Sequence, residues 1–319
     1  MPDLWQLKRE FLEYCELEKG QSLLTVENYD RYLSKFMQWL QEFETQSSKL
    51  KAQNNNSKSG IVSEDITQEA VKEYRLYLNR LCNKSGQPLS KSTQNYHIIT
   101  LRAFLGFLAL RGIKSLPPQK VTLAKMQERK VEFLEAQDII KLINIPKINT
   151  FKGLRDRLIL ELLFSTGLRV SELKDLNVGD INLERGEIPV RGKGGKVRVV
   201  FLSDSTQQIL GSYIKLISDS EALILNKIDG SRLTVRSIER VVNKWAKAAG
   251  ISKHVSPHTL RHTFATDLLI NGADLRSVQS LLGHANVSTT QIYTHVTDQH
   301  LRDIHRAFHG KRTEPEESV

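Results

Sequence analysis

The sequence predicts a mainly α protein of two domains, an N-terminal four-helix domain and a mostly helical second domain with one small β-hairpin. Three observations lead there. Apolar residues recur at steps of three and four through most of the chain; one pair of short β-branched runs brackets a glycine-rich turn; and a Pro-Pro segment with scattered charge separates the two helical regions. At 319 residues the chain is long enough to bury two cores.

Taken in order, Leu4, Leu7 and Phe11 mark a short leading helix. Val26, Tyr29, Leu33, Phe36 and Leu40 form the stripe of a second helix, Val71, Tyr74, Leu78 and Leu81 of a third, and Ile98, Leu101, Leu105 and Leu108 of a fourth. Between the second and third, TQSSKLKAQNNNSKSG at 45–60 is Asn-, Ser- and Lys-rich and is expected to be a mobile loop without regular structure. The helical pattern stops at about Gly112, so the first domain is assigned to 1–115 and SLPPQKVTLAKMQERK to an extended linker, 116–130.

The second domain, 131–310, opens with EFLEAQDIIKLI and a buried-looking helix, LRDRLILELLFSTG at 154–167, which Gly167 closes. GEIPVRGKGGKVRVVFL at 186–202 reads as a hairpin whose Gly192-Lys193-Gly194-Gly195 turn presents lysines. From Ser237 onward the pattern is helical again. Asp274 can cap a helix carrying Leu275, Val278 and Leu282, and Gly283 suits the left-handed residue that ends it. Ser288 to Gln291 then form a capping box, which sets His284 in a turn and Tyr293 in the second turn of a new helix. DQHLRDIHRAF carries a thin stripe of Leu301, Ile304 and Phe308 that calls for a partner surface, and 311–319 is a polar tail.

Lys plus Arg number 46 against 36 Asp plus Glu, a net charge of +10 that favours an anionic partner such as nucleic acid. Two cysteines, Cys15 and Cys82, are too few for a disulfide framework or a thiolate zinc site. No signal-peptide pattern and no apolar run near the ~20 residues of a membrane span is visible, so a cytoplasmic protein with no membrane partner is expected.

Several polar residues call for explanation. In VSPHTLRHTFATDLL, Ser256 is a good N-cap and Pro257 a good first residue, which puts His258 and Arg261 in a helical first turn where free N–H groups favour an anion. Taken alone, the plainer account is that His258 supports the cap and Arg261 makes a surface ion pair. HTLRH also has the spacing of zinc ligands, but it lacks the glutamate of H-E-x-x-H and sets Arg261 beside the metal, so no metal is expected. Arg169 follows the Gly167 turn, with Glu172 three residues on; singly this is a helix-end contact, as Lys193 is singly a solvated turn lysine.

Together they have a chemical logic. Phosphoryl transfer gathers negative charge on the equatorial oxygens, which two guanidiniums can stabilise. Histidines exchange protons near neutrality, and a turn lysine can protonate a leaving oxygen. A phenol, with a reference pKa of ~10, becomes a nucleophile only where cations and a base help remove its proton, and Tyr293 is the candidate.

GLRVSEL, the GKGGK turn, HTLRH, LLGH and TQIYTH, in this order and spacing, resemble the tyrosine recombinases, most closely the Xer-type resolvases, over the whole chain. That resemblance implies a SAM-like core-binding domain followed by a tyrosine recombinase catalytic domain. It implies site-specific DNA cleavage and rejoining through a 3′-phosphotyrosine, without metal or high-energy cofactor. Carried over residue by residue, Tyr293 would be the nucleophile, Arg169 and Arg261 the clamp on the scissile phosphate, and Lys193 the acid for the 5′ oxygen. His258 would assist proton transfer, His284 would hydrogen-bond the phosphate, and Glu172 would support Arg169. Partners would be double-stranded DNA at a recombination site and like recombinases in a homo- or hetero-tetramer joined through the C-terminal helix. The need for a DNA translocase stays open. Three other readings compete. A mobile-element integrase of the same family often carries a further N-terminal domain. A non-catalytic helix-turn-helix regulator accounts for the Gly283 punctuation but not for the accompanying Arg169, Lys193, His258 and Arg261. A metal-dependent nuclease would need carboxylates at two-metal spacing, which the sequence lacks.

Overall fold

A computed structural model describes residues 3–50, 60–83, 86–126, 132–192, 195–217, 220–226 and 229–283, side chains 47–50 excepted. The chain divides into two compact units, Met1–Glu128 and Arg129–Val319.

The first unit is built on α1 (Leu4–Leu17), α2 (Leu23–Leu50), α3 (Gln68–Arg80) and α4 (Lys91–Leu110). Each predicted stripe supplies the core: Leu7 and Phe11, Leu33, Phe36 and Leu40, Tyr74 and Leu78, and Leu101, Leu105 and Leu108 are all buried. Asp3, Thr67 and Ser90 cap α1, α3 and α4 by accepting from first-turn N–H groups, which sets where these helices start. One buried polar pair crosses this core, Tyr74 Oη and His97 Nδ1 at 2.9 Å.

Two expectations need correction here. The segment 45–60 is not wholly loop, because α2 continues to Leu50. Its polar residues still favour helix once the preceding turns are anchored, and Thr45 donates its hydroxyl back to the Gln41 carbonyl, 2.7 Å. The segment after 115 is not a bare spacer either. Pro118–Lys120 forms a 3-10 turn, Val121 enters the first core, and Asn95 both donates to the Ala124 carbonyl and accepts its N–H, at 2.9 and 3.0 Å. A side-chain amide that pairs both backbone groups substitutes for a missing strand neighbour, so the chain is held to residue 124.

The second unit is organised around α6 (Phe151–Thr166), with α5 (Ala136–Asn144), α8 (Asp204–Ile214) and α10 (Pro257–Ile270) packed on it. Because α6 is covered on nearly every side it shows no amphipathic stripe, and even Arg155 and Asp156 lie inside. Asp156 accepts from Arg155 Nη2 at 2.7 Å and from Trp245 Nε1 at 2.9 Å, while Arg155 Nη1 donates to the Leu225 carbonyl. The hairpin is β1 (Glu187–Arg191) and β2 (Val197–Phe201), antiparallel with Pro189 opposite Val199 and Arg191 opposite Val197. Ile188, Val190 and Val200 face the core. The remaining elements are α7 (Val170–Asp175), α9 (Val235–Ala248) and α11 (Leu275–Leu282). No described helix is long and apolar enough to cross a membrane.

Candidate active site

Three helix ends define the site, and local sequence sets each of them. Gly167 (φ 60°) stops α6 and Gly283 (φ 64°) stops α11, both in the left-handed region that glycine enters without strain. Ser256 starts α10, accepting from Thr259 N–H at 3.2 Å, with Pro257 at the first helical position. Asp274 starts α11, accepting from the N–H groups of Arg276 and Ser277.

A helix C-terminus leaves carbonyls without intrahelical donors and carries the negative end of the dipole. At the end of α11, three successive carbonyls each receive a different guanidinium. Arg198 Nε donates to Leu281 O at 2.9 Å, Arg261 Nη2 to Leu282 O at 2.6 Å, and Arg169 Nη2 to Gly283 O at 3.4 Å. Arg261 Nη1 also donates to the Gly167 carbonyl, so one side chain ties the ends of α6 and α11 together. The approach is close enough that a methyl group on Gly167 would overlap the Phe264 ring, and one on Gly283 would sit 2.9 Å from Arg198 Cδ.

Glu172 organises two of these cations. Its carboxylate accepts the Arg169 backbone N–H and Nη1, each at 2.8 Å, and a fork from Arg198, Nη1 at 2.9 Å and Nη2 at 2.8 Å. The Glu172 side chain is 5% exposed, that of Arg198 11% and that of Arg169 31%. Burial by itself would raise the Glu172 carboxyl; hydrogen bonds from Arg198 and from the Arg169 backbone, with the Arg198 charge, outweigh it and hold the group below its ordinary value. The result is a carboxylate that is ionised at neutral pH and carries the Arg198 fork together with two donors of Arg169. Beside it opens a cleft of about 990 Å³ lined by Arg169, Glu172, Asp175, Pro189, Arg191 and Val197.

The residues singled out from the sequence divide clearly. Arg169, Glu172 and Arg261 meet at the α11 terminus. His258 is exposed in the first turn of α10, and His262, one turn further, is half-buried, its proton affinity lowered by burial and by the neighbouring His258 and Arg261. The surface ion pair considered for Arg261 is overturned: the residue is 5% exposed and its terminal nitrogens serve two carbonyls. Packed against two other helix ends, the guanidinium keeps little contact with solvent, and backbone oxygens take up part of its hydrogen-bonding capacity. Among the described residues no cluster of three metal-ligating side chains occurs. Lys193, His284 and Tyr293 lie outside the described residues, as do the capping box at 288–291 and the stripe of Leu301, Ile304 and Phe308.

Arg198 was not singled out from the sequence, although a signal was there. In VRVVF the alternation turns Val197, Val199 and Phe201 outward and places Arg198 on the face of buried Val200. A charged residue on the inward face of a strand must find a partner, and it finds Glu172.

Residues 7–111 match the phage integrase SAM-like domain, and residues 132–300 match the phage integrase family, more than half of the chain. The chain belongs to the phage integrase family. Its relatives carry the name tyrosine recombinase: XerC of Thermodesulfovibrio yellowstonii is 36% identical, with 96% of this chain and 97% of the relative covered. XerD of Oceanobacillus iheyensis is 36% identical over 95% of this chain and 97% of its own. Among solved structures, XerH site-specific recombinase bound to a palindromic difH substrate, a post-cleavage complex, shares the fold with a TM-score of 0.67 at 24% identity, covering 93% of this chain and 83% of that one. The protein is thus a DNA strand-transferring enzyme of the tyrosine recombinase class.

Proposed function

We propose that the chain is a site-specific recombinase that resolves chromosome or plasmid multimers, with Tyr293 as nucleophile and the guanidiniums at the α11 terminus as its phosphate clamp. The observation that carries this reading is the convergence of Arg169 and Arg261, remote in sequence, on the carbonyls of 282 and 283, immediately before the segment that leads to His284 and Tyr293.

In this mechanism the Tyr293 oxygen attacks the scissile phosphorus, a phosphorus–oxygen bond forms to the tyrosine, and the bond to the 5′ oxygen breaks. Lys193 supplies the proton that the departing 5′ oxygen takes up. His258, on the first turn of α10, accepts the phenolic proton, and His284 donates to a non-bridging oxygen. Arg169 and Arg261 neutralise the charge that builds on the equatorial oxygens, and because backbone carbonyls and Glu172 already hold their forks, little reorganisation accompanies the reaction. The phosphotyrosine keeps the ester energy, so the 5′ hydroxyl of a second strand reverses the steps, and no cofactor or metal is called for.

The first unit would add its own contacts to the same duplex. The stripe of Leu301, Ile304 and Phe308 would dock on a neighbouring protomer in a homo- or hetero-tetramer, acting in the cytoplasm, where a DNA translocase could meet it. The test uses duplexes selected by the wild-type protein from a random pool, nicked near the centre and analysed under denaturing conditions. A covalent adduct with wild type and none with Tyr293→Phe, at equal binding, is expected. Binding by both with no adduct, even after a like recombinase is added, points instead to a regulator.

A further inference from the structure

Arg198 makes two kinds of bond at once: a two-point fork to Glu172 and a third bond, through Nε, to the Leu281 carbonyl. Its backbone belongs to β2, one strand residue after the lysine-bearing turn side of the hairpin, while Glu172 belongs to α7 and Leu281 to α11. One planar side chain therefore joins three elements. The Arg169 guanidinium rests on the same Glu172 carboxylate and on the next carbonyl but one of α11. If the Arg198 side chain is removed, Glu172 retains only the Arg169 contacts, and the last turn of α11, whose Gly283 carbonyl meets Arg169 Nη2, loses its tie at Leu281 O. Gly283 bears on this as well, because any side chain there would press on Arg198 at its Cδ, Nε and Nη1.

We propose that Arg198 is a positioning residue for the strand-transfer reaction, aiming Arg169 and holding the last turn of α11 without touching DNA. This rests on the recombinase reading above. A fork is essential to the role: lysine can pair with Glu172 but cannot bridge both carboxylate oxygens and Leu281 O in one plane. Arg232 provides a matched comparison. It too is partly buried and spans elements, donating to the carbonyls of Lys174 and Leu176 and to Asn177 Oδ1, and its hydrogen bonds go neither to Glu172 nor to α11.

The experiment measures single-turnover adduct formation at saturating full-length protein on a nicked duplex selected by the wild type, together with Kd and Tm, for Arg198→Met, Arg198→Lys, Arg232→Met, Glu172→Gln and Arg198→Met/Glu172→Gln. With Arg198→Met, adduct formation is expected to slow at least ~10-fold, since misplacement of a positioned group by about 1 Å can cost ~100-fold, while Kd stays within about threefold. Arg198→Lys should recover only part of the rate. The double variant should lose less than the two single losses combined, because the two side chains share one contact while the Leu281 O bond belongs to Arg198 alone. Arg232→Met should lower Tm comparably yet leave the saturated rate near wild type. An unchanged rate in Arg198→Met, a defect confined to Kd, additive losses in the double variant, or an equal rate loss in Arg232→Met overturns the proposal. Absence of an adduct with the wild type would instead overturn the recombinase reading, and Arg198 with it.

Discussion

Glu172→Gln is the sharpest probe of the arginine cluster. The glutamine is nearly isosteric and retains one acceptor oxygen. In wild type each carboxylate oxygen takes two donors: Oε1 from Nη1 of Arg169 and of Arg198, Oε2 from the Arg169 N–H and from Arg198 Nη2. Whichever way the amide turns, two of those donors face an NH₂ group, so two bonds are lost and the other two lose their charge assistance. Breaking a buried ion pair from one side costs ~3–5 kcal/mol; Arg169, 31% exposed, can turn toward water, whereas Arg198, 11% exposed, cannot. We take the low end, about 3 kcal/mol, which for a unit of this size lowers Tm by roughly 6–12 °C. Calorimetry of the full chain at pH 7, following the transition of the second unit, measures it. The pH dependence supplies a second reading. Glu172 is held below its ordinary value of 4.5, so its stabilisation is present above that pH and is lost as pH falls through the folded value. The gap between wild type and variant should therefore close in acid. A Tm change under about 2 °C at pH 7, or a gap that persists unchanged at low pH, would refute the reasoning.

Gly167→Ala should destabilise the second unit by ~2–4 kcal/mol, because the position is left-handed and the new methyl group would meet the Phe264 ring and lie 3.1 Å from Leu282 Cδ2. Adding Phe264→Leu should recover part of that loss in thermal denaturation, and a cost below about 1 kcal/mol would show that the ring yields freely. His97, buried and then opposed by the Lys35 and Arg31 charges, is lowered to about 4, so the fold holds it neutral. The unfolded chain takes up that proton below about 6.5, and stability of the first unit should fall by about 3 kcal/mol as pH drops from there to about 4. Hydrogen exchange of α3 and α4 amides across that range, with an NMR titration of the ring, measures both; a midpoint near 6.5 would contradict it.

Local chemistry made much of this protein legible before any fold was known. The apolar stripes of α1 to α4 named their own core because helical spacing alone puts Phe11, Leu33, Tyr74 and Leu101 on one side of their helices. Gly167, Gly283, Ser256 and Asp274 announced the helix ends because cap geometry depends on residues within one turn. Where the sequence misled, longer contacts intervened: α2 outran its apolar stripe, and Val121 and Asn95 drew a spacer onto the first core.

The sequence by itself determined which residues carry charge and where each helix begins and stops, since propensity, capping and periodicity are decided by neighbours a few positions apart. Only the tertiary structure decided what the charges do. Arg198 reads as one more strand residue until β2 is laid beside α7 and α11. Arg261 reads as a surface cation until its helix is packed against the ends of two others. Both end on carbonyls or a carboxylate more than twenty residues away, because a buried guanidinium takes the acceptors that folding brings to it.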